Sequence, residues 1–188
     1  MLNLGGAQPI TAHDRSPAGA LVAAEEDSEP IETRLTRAWA FLSGAQVVFR
    51  HVPDPTLPDR VGDEKHVVLP VDMPTTDRHA ALGLVLDRSD ALAIAAAMFD
   101  LPLEELSEED VDDACREACN VISACLLEKL PDHPALQPGL PLSLNASRYR
   151  GLVDHGLLQA QFEGHAHRII SVSVFDPVAA SYAKELSS

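Results

Sequence analysis

The sequence is short of positive charge. Against 29 Asp and Glu it carries 14 Lys and Arg, a formal net charge of −15 over 188 residues. Nucleic-acid phosphates and anionic lipid surfaces are bound through Lys and Arg, so a surface this acidic argues against both as partners. Cysteine is scarce too: Cys115, Cys119 and Cys125 all sit in one short segment. Their spacing matches no zinc pattern, and they read as small buried hydrophobes in a reducing compartment. No run approaches the ~18 consecutive apolar residues of a membrane-crossing helix. The start, Met1-Leu2-Asn3-Leu4-Gly5-Gly6, lacks the basic residues and apolar stretch of a secretory signal. The expected location is the cytoplasm. There is no Gly-rich phosphate loop, and Ser143, Ser147 and Ser171 stand in no Gly-x-Ser-x-Gly setting, which argues against a serine hydrolase.

What is present describes a globular α+β chain. Hydrophobic residues make up 46% of it, enough for a sizeable core at this length. Residues 1–28 are rich in Gly, Ala, Pro, Ser and acidic residues without a sustained apolar period, and read as a mobile extension. One domain is expected over 29–188. Helical spacing of Ile31, Leu35, Trp39 and Leu42 predicts a first helix ending near Gly44. Strand patterns follow at 46–52, 65–71 and 81–86, with a Pro-rich loop at 53–63. A helix over 90–99, capped by Ser89, is apolar almost all round and is therefore expected to be buried. A long helix is predicted from Glu108 to about Leu130, with Ser107 as N-cap and Asp110 completing an acidic capping box. Strands at 142–149, 157–163 and 168–175 come next, and Asp176-Pro177 opens a final short helix to about Leu186. Strands grouped in runs with short links predict a mostly antiparallel six-stranded sheet flanked by long helices, an α/β sandwich.

Chemistry concentrates in Asp113-Ala114-Cys115-Arg116-Glu117-Ala118-Cys119-Asn120. At about 100° per residue, Asp113, Glu117 and Asn120 fall within an arc of roughly 60°. Val111, Ala114, Ala118, Val121, Ile122 and Cys125 cluster opposite and define the buried side. The three polar residues should therefore project outward, with the small Ala124 continuing their row. Elsewhere, His165-Ala166-His167 would place two imidazoles on one side of a strand, with His133 and His155 upstream, but no third zinc ligand is evident. The acidic run 104–110 is a solvated linker and helix start, and it also suits steering of a cationic partner.

The spacing Asp, three residues, Glu, two residues, Asn on a long helix resembles the CheC/CheX/FliY family of chemotaxis phosphatases. Met98-Phe99-Asp100-Leu101-Pro102, followed by an acidic linker and the motif helix, resembles the family as well. CheC-type members carry the motif twice. Here Glu32 is followed three residues later by Leu35, so a single site of the CheX type is expected. Two departures stand out: Cys125 occupies the place of a second Asn found in many relatives, and Pro138 and Pro141 come slightly early.

The resemblance implies hydrolysis of the aspartyl phosphate of a CheY-like response-regulator receiver. Asn120 would orient the attacking water, a task for which a carboxamide is suited because it donates and accepts at once. Glu117 would pair with the receiver's lysine, and Asp113 would support Glu117 or contact the partner. The receiver would bring the Mg²⁺, so the chain needs no cofactor of its own. A homodimer is also implied. The rival expectation is a non-catalytic module of the same fold that binds a receiver or another signalling protein.

Overall fold

The structure is a computed structural model describing residues 29–53, 63–74, 78–128, 135–154, 158–165 and 170–175. The expected N-terminal extension, most of the 53–63 loop and the expected final helix lie outside these residues.

Helix α1 covers Ile31–Ser43, and its apolar residues Ile31, Leu35, Trp39 and Leu42 are all buried, as their spacing predicts. It ends at Gly44, whose φ of 67° is a left-handed conformation that suits a residue without a Cβ. Strands β1 (Val48–Val52), β2 (Glu64–Met73) and β3 (Arg78–Asp87) follow. Next come α2 (Arg88–Phe99), a single 3-10 turn at Leu103–Glu105, and the long α3 (Glu108–Leu127). The chain continues through β4 (Gln137–Pro138), β5 (Leu142–Leu144), α4 (Ala146–Asp154), β6 (Leu158–His165) and β7 (Ile170–Phe175).

Two local expectations are corrected. Asp87, not Ser89, caps α2: its Oδ1 accepts the Asp90 N–H at 2.9 Å and the Ser89 hydroxyl at 2.7 Å. A carboxylate outcompetes the hydroxyl for the free amides of the first turn, so the helix starts earlier. The second correction falls in 142–149, where only Leu142–Leu144 is strand. Asn145 then accepts the Arg148 N–H at 2.9 Å, capping α4, and Tyr149 and Leu152 bury one turn apart. Helix α2 is also less enclosed than its composition implies. Ala91, Ile94 and Ala95 are buried while Ala93 and Ala97 face outward, an exposure alanine tolerates well in a helix.

All pairings in the sheet are antiparallel, in the order β1-β6-β7-β3-β2-β4, with β5 also paired to β2. Among the described residues the short β4 makes the strand number seven rather than six. Alternation sends Val67, Leu69 and Val71 of β2, Leu82, Leu84 and Leu86 of β3, and Val172 and Val174 of β7 to one face. There they form a single core with the buried sides of α1, α2 and α3. The other face holds a smaller cluster of Val68, Ala81 and Val85 under Tyr149 and Leu152 of α4. Strand β1 ends the order, and the Phe49 N–H is donated to the Thr36 hydroxyl of α1 at 3.1 Å.

Candidate functional site

Helix α3 is anchored along its length before it presents anything. Val111, Ala114, Cys115, Ala118, Cys119, Ile122, Ser123 and Leu126 are all buried. Four of these are Ala or Cys, so the backbone lies close to the sheet and to α1 and α2, and lateral play is small. Its first turn is fastened by the expected capping box. Asp110 N–H donates to the Ser107 hydroxyl at 3.2 Å, and Ser107 N–H donates to Asp110 Oδ2 at 2.9 Å. The Ser107 hydroxyl, donating to Asp110 Oδ2 at 2.6 Å, and then the Ser107 N–H hold the Asp110 carboxyl below its ordinary range.

An ionic clamp ties the same turn to the sheet. Lys65 of β2 reaches Glu108 at 3.1 Å and Asp112 at 2.8 Å. Arg88, opening α2, binds both Glu108 and Asp63, the latter at 3.3 Å. Hydrogen bonds from Arg88 and then Lys65 pull the Glu108 carboxyl down to about 2. Burial alone would lower the Lys65 ammonium, but the Asp112 and Glu108 carboxylates carry it above its ordinary value.

The opposite side of α3 is open. Asp113, Glu117, Asn120 and Ala124 are all exposed, and the amide nitrogen of Asn120 donates to Glu117 Oε2 at 3.2 Å. Asp113 is bound instead by Arg116, three residues later. The structure therefore brings Glu117 and Asn120 together as a hydrogen-bonded pair and sets Asp113 in a separate ion pair. Sequence reasoning placed the outward row but missed Arg116 as a partner of Asp113; the i, i+3 spacing of opposite charges was the available signal. It also missed Lys65 and Arg88, whose carboxylate partners lie far along the chain and leave no local pattern.

Packing accounts for two of the other positions. Leu35 is fully buried, so the α1 position matching the site's asparagine belongs to the core. Cys125 is half-buried, its thiol 3.9 Å from the Arg34 carbonyl oxygen and thus directed at α1. Burial pushes the Cys115 thiol up to about 11 and Cys119 to about 12. Among the described residues no group of three His, Cys, Asp or Glu is placed to hold a metal, and no helix is long and apolar enough to cross a membrane. His133, His155 and His167 lie outside the described residues.

By sequence, the chain matches no family model and no curated protein. Solved structures do share its fold. The chemotaxis protein CheX from Vibrio vulnificus superposes with a TM-score of 0.53 at 12% identity, over 78% of this chain and 96% of that one. The CheX of a CheX–CheY–BeF3–Mg²⁺ complex from Borrelia burgdorferi gives 0.53 at 13% identity, over 78% and 94%. A CheC-like superfamily protein from Shewanella sp. PV-4 gives 0.50 at 13%, over 77% and 94%. The CheC/CheX-like fold expected from the motif is thus the fold observed.

Proposed function

We propose, starting from a fold shared with CheX and CheC-like chemotaxis proteins, that this chain is a phosphatase for the aspartyl phosphate of a CheY-like receiver domain. One observation carries the reading. Glu117 and Asn120 stand side by side on the open face of a helix whose other face is locked into the core. An aspartyl phosphate is an activated acyl phosphate, and its hydrolysis chiefly needs a water held in line with the phosphorus. In the proposed step the water oxygen bonds to phosphorus and the bond from phosphorus to the aspartate oxygen breaks. The partner's carboxylate is restored, and phosphate and a proton leave. Asn120 accepts from and donates to that water while Glu117 moves from Asn120 to the receiver's lysine, leaving the carboxamide free. Asp113 supports the docked arrangement from the same face. The receiver brings the Mg²⁺. The structure solved with CheY, BeF3 and Mg²⁺ supports this choice of partner. Pairing of two copies belongs to the same proposal.

The test is phosphate release from purified receiver domains phosphorylated with acetyl phosphate. At least one receiver should lose phosphate faster with the chain present, and Glu117→Ala and Asn120→Ala should each abolish the acceleration without altering the fold. Unchanged acceleration in both variants removes these residues from the chemistry. The second reading, a non-catalytic docking module, draws on Cys125, which packs toward α1 where many CheC/CheX members have a second Asn. Binding of a receiver without turnover by the unmodified chain would establish that reading instead.

A further inference from the structure

Arg116 opposes the charge of the face on which it sits. At about 100° per residue, Glu109, Asp113, Arg116, Glu117 and Asn120 share an arc of roughly 100° around α3. The other ionisable members of that arc are carboxylates, and Arg116 follows Asp113 by three residues and precedes Asn120 by four. Its ion pair with Asp113 is open to solvent, the two side chains being 37% and 54% exposed. A solvent-exposed pair of this kind contributes little and yields to a stronger anion. The other described cations bound to α3 carboxylates are anchored elsewhere. Lys65 and Arg88 each hold two carboxylates from β2 and α2, and Arg34 holds Glu128 from α1. Arg116 is thus the weakly committed cation beside Asn120.

A phosphoryl group offers oxygens that a guanidinium grips with two parallel, charge-assisted hydrogen bonds. We infer that Arg116 is a further catalytic residue: on docking it leaves Asp113 and binds the phosphoryl oxygens of the partner's aspartyl phosphate. Asp113 is the positioning residue that parks it on this face in the free chain. The inference rests on the phosphatase reading above. In the step already described Arg116 neither gains nor loses a proton. It offsets the negative charge on the three equatorial oxygens as the bond to the aspartate breaks.

The experiment uses the receiver selected by the phosphate-release assay, with Asn120→Ala run in parallel. Arg116→Gln should lower kcat at least ~10-fold, the loss typical of one charge-assisted contact, and Arg116→Lys should restore part of it. Binding supplies a second readout. The unmodified chain should prefer receiver loaded with beryllium fluoride and Mg²⁺ over bare receiver, and Arg116→Gln should erase most of that preference. If Arg116→Gln keeps both kcat and the binding preference while Asn120→Ala is inactive, the role of Arg116 is overturned and the phosphatase reading stands. If Asn120→Ala keeps the full rate, the phosphatase reading falls and the inference falls with it.

Discussion

Glu108 lies on the surface, yet Arg88 and Lys65 hold its carboxyl at about 2. A carboxylate depressed on folding adds stability above its ordinary value of 4.5 and loses it as pH falls from there toward about 2. Urea unfolding at pH 6, 4 and 2.5 should therefore show a gap between the wild type and Glu108→Gln that closes across this window. Because the group is exposed, the gap should also shrink in high salt. At this scale the sequence was legible where burial decides the answer. The apolar period of α3 by itself orients Asp113, Glu117 and Asn120 outward, where the structure has them. It was illegible where a partner comes from another element, since nothing near Glu108 in the chain announces Lys65 or Arg88.

Single elements were read well when long and poorly when short. Helices α1 and α3 carry several turns of apolar repeat, and each has a plain stop or start, Gly44 and Ser107. The stretch 142–149 carries three strand residues and then a capped helix, so its apolar alternation changes period within one window. Asn145 is the signal that separates them. Asn145→Ala should destabilise the protein by about 1 kcal/mol, and Ser107→Ala by a similar amount, measured as shifts in denaturation midpoint at constant m-value. Thr36→Val tests a different tie. It removes the acceptor for the Phe49 N–H at the outer strand and should cost about 1 kcal/mol, with faster amide exchange at Phe49.

On the scale of the whole molecule, the sandwich was legible because strands come in runs, and the antiparallel pairing followed from their short links. The sequence did not show which sheet face each helix takes: among the described elements α1, α2 and α3 share one face, and α4 covers the other. Sheet edges bear on the proposed pairing of two copies. At β1 the Phe49 N–H is already taken, and beside β2 the flanking strands are two and three residues long, with Pro138 in the first. For the proposed pairing, sedimentation equilibrium should give a dimer and no larger species, because these edges are guarded against a further strand. The buried thiols of α3 have a practical consequence as well. Cys115 and Cys119 lie beneath the site and are held far from their thiolate forms, whereas Cys125 is half-open. Iodoacetamide should alkylate Cys125 first and reach the other two only when the helix lifts off the sheet. Their labelling rate then becomes a clock for that opening, and a protein docked on the far side of the helix should slow it.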